Sequence, residues 1–307
     1  MVIVKCFIEC DFYSKEKLLK YYDLVIGHAF PLVDYYKNYE VKSKNSKITA
    51  QEFKSLADDL RKEIEVFSKD QNVDLVTSAD FQSEKILMDA IKSNFPDDGI
   101  ISEESEIHNP NSERFWIIDP LDGTVNYANN IDQVAITLML FEDKEPKQAF
   151  VYDIYNEILY EGYKNFGAFK NGEQLKVSKS ISLDKAIIAT GFPYDRNEFS
   201  SDYIPTFEAV LKNTGGIRRY GSAALDVCWI ADNKFDGYFE FFMKPWDTLG
   251  ACLILDEAGG AAVDQTQNFP NLDSKLVIAS NKIIHTQFQK LVFENLTENI
   301  RPRIFEN

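Results

Sequence analysis

The stretch FWIIDPLDGTVNYANNIDQVAITLMLFEDKEPKQAFVYDIYNEILYEGYKNFGAFKNGEQLKVS, residues 115–178, decides the fold of this chain. Apolar residues come in short runs, FWIID, VAITLMLF, QAFVYDI, EILYEGY, GAFKN and EQLKVS, separated by DKEPK, Tyr155-Asn156 and Asn171-Gly172. Runs of this length between turn residues predict strands, and the Asn-Gly pair predicts a tight hairpin. No helical period intervenes, so the strands are expected to form an antiparallel meander.

Upstream the period is helical. Leu18, Leu19, Tyr22, Val25, Ile26 and Ala29 share one face of a helix expected over 15–38, which Pro31 kinks or ends. KSKNSK (42–47) reads as a loop, and Thr49 with Glu52 forms a capping box that opens a helix over 49–67. A third helix is expected over 78–94. The lead-in MVIVKCFIEC is broken by Lys5 and Glu9, with no cationic segment before it and no cleavage site after it, so it reads as a strand or tag-like segment.

Downstream of Leu183 the chain alternates. AIIATGF, a helix over 201–213, GIRRY, a helix over 222–233, DGYFE, a helix over 247–258, AAVD, LVIAS and a last helix from Lys282 predict a layered α/β half. The change of pattern divides the chain into an N-terminal α+β part, 1–183, and a C-terminal α/β part, 184–307.

With 307 residues, 45% of them hydrophobic, and no long uncharged apolar run, the chain is expected to be globular, without a membrane span. Cys6, Cys10, Cys228 and Cys252 lack the paired spacing of a zinc site or a disulfide scaffold, which suits a reducing cytoplasm. A net charge of −16 repels polyanions, so no nucleic-acid partner is expected. The same field repels a small phosphate ester, which an acidic protein can hold only through local positive charge such as a metal bound to its own carboxylates.

The chemistry concentrates in WIIDPLDGTVNYANN (116–130), where a strand ends in Asp119, Pro120 stiffens the turn, and Asp122 follows. Gly123-Thr124 then opens a short helix whose free N–H groups favour an anion. GIISEESE (99–106) carries Glu103 and Glu104, KPWDTLGACLILDEAGG (244–260) places Asp247 at a helix start, and DLVTSAD (74–80) places Asp74, Thr77 and Asp80 before a helix. Each of these three alone suits a cap or a solvated face. Together they form an oxygen-rich set without His or Cys, the donor chemistry of Mg²⁺ or Mn²⁺. Two such ions ~4 Å apart can hold phosphate oxygens, activate a water and stabilise a leaving alkoxide.

DLVTSAD, SEES, WIIDPLDGTVNY, GSAALD and PWDTLGACLILDEAGG, in this order over roughly 69–264, resemble the signature motifs of the inositol monophosphatase family. The resemblance implies a sugar-phosphatase fold, an αβαβα sandwich of helices and sheets. It implies a lithium-sensitive, Mg²⁺-dependent phosphomonoesterase with two or three ions, Mn²⁺ as a substitute, and a homodimer.

Residue by residue, the resemblance assigns metal binding to Glu103, Asp119, Asp122, the Leu121 carbonyl and Asp247, with Glu104 supporting them. Thr124 paired with Asp80 would activate the water, and Gly123 and Thr124 would hold the phosphate. Asp122, Gly221, Ser222, Ala223 and Glu240 would line the rest of the substrate, a small phosphorylated metabolite, with Glu240 accepting hydrogen bonds from vicinal hydroxyls. Lys69 and Asp74 match phosphate-side and supporting positions, whereas Asp226, Trp229 and the EAGG glycines read as structural.

Ser102 stands where the family usually has Gly, Val125 where Thr is commoner, and the segment before Asp74 is long; its part 40–70 could shape the site mouth or a dimer face. Lys244 could serve a second phosphate. Inositol monophosphate is the substrate the resemblance implies first, and Asn126-Tyr127 after DGT resembles the inositol branch more than the nucleotide-bisphosphate branch. Fructose bisphosphate, NADP and nucleotide bisphosphates are the rival substrates, and a catalytically silent, metal-binding interaction protein is the rival of a different class.

Overall fold

The computed structural model describes residues 67–68, 75–76, 78–177, 182–192 and 196–305. The lead-in, the helix expected over 15–38, the loop 42–47, the helix over 49–67 up to its last residue, Lys69, Asp74 and Thr77 lie outside them. Phe67–Ser68 (β1) pairs antiparallel with Leu75–Val76 (β2), and α1 spans Ser78–Asn94 as its period predicts.

The meander forms a seven-stranded sheet in the order β3 (Gly99–Ser102), β4 (Arg114–Asp122), β5 (Ala135–Glu142), β6 (Glu145–Asp153), β7 (Ile158–Tyr163), β8 (Gly167–Lys170) and β9 (Glu173–Gln174). Only β3 runs parallel to its neighbour; the other pairs are antiparallel. The side chains alternate between two cores, as the pleat requires. Trp116, Ile118, Ile136, Leu138, Leu140, Phe150 and Tyr152 pack toward α1. Ile117, Ala135, Met139, Phe141, Ala149 and Val151 pack on the opposite face. Both faces are covered, which is why VAITLMLF, Thr137 apart, carries apolar residues on both faces rather than alternating.

The second sheet has the order β11 (Gly216–Arg218), β10 (Ile187–Thr190), β12 (Gly237–Phe241), β14 (Leu276–Asn281) and β13 (Gly260–Val263). β10 is parallel to β11 and β12, and β14 is antiparallel to β12 and β13. Between the sheets lie α4 (Ala223–Ala231) and α5 (Pro245–Glu257), which share one core with both. α5 is buried from Thr248 through Leu255, as expected for a helix that is apolar all round. Gly162 lets β7 approach it: a Cβ there would stand 2.9 Å from Ile254.

Outside the second sheet, α3 (Arg196–Asn213), α6 (His285–Glu294) and α7 (Ile300–Phe305) close a third core around Tyr203, Phe239, Phe241 and Phe288. The succession is helix, sheet, helix pair, sheet, helices: the αβαβα sandwich. α3 starts at Arg196 rather than at 201, because Asn197 and Glu198 in its first turn are polar and exposed and only Phe199 marks the buried face. The last helix starts at His285 rather than Lys282, and a further one, α7, follows it. Among the described residues no helix is long and apolar enough to cross a membrane, and Cys228 and Cys252 are free and buried.

Candidate active site

The site forms where β4 stops being a regular strand. Asp119 pairs with Thr137 and Asp122 with Ala135, and the register shifts between them because Pro120 has no N–H to give the ladder. The two carboxylates are freed for other partners. Asp119 Oδ1 accepts from its own loop, the Leu121 N–H at 2.9 Å, while the Asp119 N–H donates to Thr137 Oγ1 at 3.2 Å. Thr137 Oγ1 in turn donates to the Trp246 carbonyl at 3.1 Å. One hydroxyl thus joins Asp119 to the residue before Asp247.

Gly123 makes the next turn at φ 98, and a Cβ there would stand 2.7 Å from the Gln133 carbonyl, so only glycine fits. Helix α2 (Thr124–Ala128) starts directly after it, and among the described residues no side chain caps it. Thr124 Oγ1 lies 3.0 Å from Asp80 Oδ1 and 3.1 Å from the Leu121 carbonyl, two acceptors for a single proton. Asp80, on the first turn of α1, is 1% exposed.

Asp122 is held from the other half of the chain. Its Oδ2 accepts from Ser222 Oγ at 2.5 Å and Ala224 N at 2.9 Å, and its Oδ1 from Ala223 N at 3.2 Å, all at the start of α4. Gly221, at φ 90, lies against Asn126, whose Nδ2 donates to the Gln133 and Tyr220 carbonyls. Asp247, on the first turn of α5, accepts the Lys244 N–H on Oδ2 at 2.7 Å. Glu240 on β12 accepts from Tyr238 Oη and packs so closely on Gly191 that a Cβ there would meet its carboxylate.

These acids share one poorly solvated field. Burial first, then the charges of Glu103, Asp122 and Asp247, hold Asp119 well above the usual carboxylate range. Burial raises Asp122 to about 6 against the lowering effect of Ser222, Ala224, Ala223 and Arg219. It raises Glu240 to about 7 and Asp247 to about 8, with the charges of Asp122 and Glu240 adding to the rise at Asp247. Glu103 thus joins the group through its charge on Asp119, and Glu104 is half-buried beside it.

The sequence reading missed Thr137, Arg219 and Glu84. Arg219, read only as part of a strand, is the cation acting on Asp122, Glu240 and Asp226; its place just before Gly221-Ser222 was the available signal. Glu84 Oε1 accepts from Ser102 at 2.5 Å and Ser105 at 2.6 Å, which ties the SEES loop to α1 and gives Ser102 a task. Asp226 is buried with an unpartnered Oδ1 among the described residues, raised by burial and by Asp122 and Glu240.

Hard oxygen donors and excess negative charge suit a divalent cation such as Mg²⁺. Among the described residues no three His, Cys, Asp or Glu side chains form a ready-made metal cage. The oxygens of Asp119, Asp122 and Asp247 turn instead to N–H and O–H donors. As a donor set the carboxylates fit the ion.

The chain is 39% identical over 212 residues to "Fructose-1,6-bisphosphatase/inositol-1-monophosphatase" of Aquifex aeolicus, covering 69% of this chain and 79% of that relative. It is 36% identical over 220 residues to "Putative Nus factor SuhB" of Neisseria meningitidis serogroup B, covering 71% and 84%. An IMPase/NADP phosphatase crystallised with Mg²⁺ and phosphate superposes with a TM-score of 0.66 at 25% identity, over 77% of this chain and 89% of that one. The sequence matches the inositol monophosphatase family over residues 33–300, from before the described part to the start of α7. With its acids gathered at the broken end of β4 and at the starts of α4 and α5, this chain belongs to the inositol monophosphatase family.

Proposed function

We propose that the chain hydrolyses a small phosphate monoester, inositol monophosphate first, in a reaction that depends on Mg²⁺. The observation that carries the reading is the Thr124–Asp80 hydrogen bond of 3.0 Å beside the buried Asp119 and Asp122 and the half-buried Asp247. Glu103, Asp119, Asp122, Asp247 and the Leu121 carbonyl would hold two or three ions, with Glu104 behind them. When bound, such ions neutralise phosphate oxygens, stabilise the leaving alkoxide and make a water acidic.

Thr124 donates its proton to Asp80, so a lone pair on Oγ1 is free to take a hydrogen bond from the attacking water and orient it in line with the phosphorus. The N–H groups of Gly123 and Thr124 hold phosphate oxygens at the start of α2. Gly221, Ser222 and Ala223 line the organic part, and Glu240 accepts from its hydroxyls. The division at 183/184 then has chemical content. The first part supplies Asp80, Glu103, Asp119, Asp122 and Thr124, and the second closes the site with Ser222, Glu240 and Asp247. The reading extends to a cytoplasmic homodimer inhibited by Li⁺.

The test is phosphate release from inositol 1-phosphate, fructose 1,6-bisphosphate, NADP and a nucleotide bisphosphate, with and without Mg²⁺. Release is expected only with Mg²⁺, and Asp119→Asn should lower it on the order of 10³-fold while the protein stays folded. Absence of release from every ester by folded, Mg²⁺-loaded protein would favour the silent binding protein instead.

A further inference from the structure

We infer a second, noncatalytic anion site that binds the phosphate group of a small phosphorylated metabolite in a cavity beside the acid cluster. The inference goes beyond the phosphatase reading and needs no turnover. The cavity, about 520 Å³, has Phe199, Phe242 and Met243 among its apolar lining and Lys244, Lys275 and Arg303 as its cations. Its size is that of a metabolite site. In a chain with 33 basic and 49 acidic residues, three cations around one cavity make a local reversal of sign.

The cations come from three separate parts of the chain, and two of them, Arg303 and Lys275, are braced. Arg303 on α7 stacks its guanidinium 4.8 Å from the Phe199 ring centroid and pairs with Glu198. One carboxylate leaves N–H donors of that planar fork for an anion. Lys275 Nζ reaches the Arg303 carbonyl at 3.3 Å, and the Lys275 carbonyl accepts the Phe242 N–H. The Phe199 and Phe242 rings stand 4.5 Å apart. Among the described residues a phosphate dianion would meet the Arg303 fork, the Lys244 and Lys275 side chains and, opposing them, the Glu198 carboxylate.

The cavity also shares a wall with the candidate active site. The Lys244 N–H is on Asp247 Oδ2, and Met243 Sδ lies 3.9 Å from the Tyr238 hydroxyl that donates to Glu240. Two sources can supply such a phosphate: the second phosphate of a bisphosphorylated substrate, or a separate phosphorylated molecule.

Calorimetric titration of the EDTA-treated full chain with inorganic phosphate tests the site, because without a divalent ion the acid cluster repels the probe. Wild type should bind, more weakly as salt rises. Lys275→Gln/Arg303→Gln should bind at least about tenfold more weakly, and Lys275→Arg/Arg303→Lys, which keeps the charge, should bind within about threefold of wild type. Thermal melts confirm that each variant is folded. No binding by wild type, or equal binding by the Gln variant, overturns the site.

A second arm reads the source from KM values with Mg²⁺. In the Gln variant a rise for fructose 1,6-bisphosphate but not inositol 1-phosphate identifies the substrate's own second phosphate. Unchanged values for both, with phosphate binding lost, identify a separate molecule. Failure of the phosphatase reading would remove only this second arm and leave the titration standing.

Discussion

Thr137 is a threonine in the middle of an apolar strand, and its hydroxyl is engaged on both sides. It accepts from the Asp119 N–H and donates to the Trp246 carbonyl, so it sets the separation between two candidate ligand positions. Thr137→Val keeps the shape and removes both bonds, leaving a buried N–H unpaired. The expected cost is about 1–3 kcal/mol of stability and a 10–100-fold loss of Mg²⁺ affinity, read by thermal melting and by calorimetric titration. Lost stability with unchanged Mg²⁺ affinity would mean that the hydroxyl serves the fold alone. The acids were legible in the sequence because Asp119, Asp122 and Gly123-Thr124 crowd into one turn. Thr137 was not, since its partner is 109 residues away and VAITLMLF looks like plain core.

Helix α4 shows how an element end can be part of a site. Ser222 caps it, accepting from the Leu225 N–H at 3.4 Å, and also donates to Asp122, while the Ala223 and Ala224 N–H groups turn to the same carboxylate. Ser222→Ala should cost about 1 kcal/mol as a lost cap. It also removes a bond that lowers the pKa of Asp122, so that pKa rises above about 6. Because Mg²⁺ needs the ionised carboxylate, the acid limb of Mg²⁺ binding should move to higher pH. An unshifted limb would show that the hydroxyl contributes only to the helix. Among the described residues the strands of the two large sheets and most helices were legible from period and turn residues, and Asn171-Gly172 does close the β8–β9 hairpin, whereas Phe67, expected to end a helix, lies in β1. The start of α3 was not, because a polar exposed turn carries little period. Nor was the break in β4: Pro120 signals that a ladder stops, but not which strand it stops against.

At the scale of the whole molecule, the acid cluster joins layers that have no sequence neighbourhood: β4 from one sheet, β12 from the other, and α4 and α5 between them. That joining is why spacing alone could not reveal how far burial raises these groups. Burial pushes Asp122, Glu240 and Asp247 up to about 6, about 7 and about 8 in the folded protein. In the unfolded chain such carboxyls titrate near about 4. Above about pH 4 the unfolded state therefore binds fewer protons than the folded one, so stability falls as pH rises. The decline should run from about pH 4 up through the folded values, the reverse of the usual gain from salt-bridged carboxylates. Bound Mg²⁺ takes the place of those protons, so its stabilising effect should be larger at high pH. Melting in EDTA and in Mg²⁺ at about pH 5 and about pH 8 measures both slopes. In EDTA the Tm should drop between the two, and Mg²⁺ should raise it far more at the higher pH. Equal Mg²⁺ effects at both values would mean that the carboxylates do not share one desolvated field, and the Mg²⁺ assignment would fall with it.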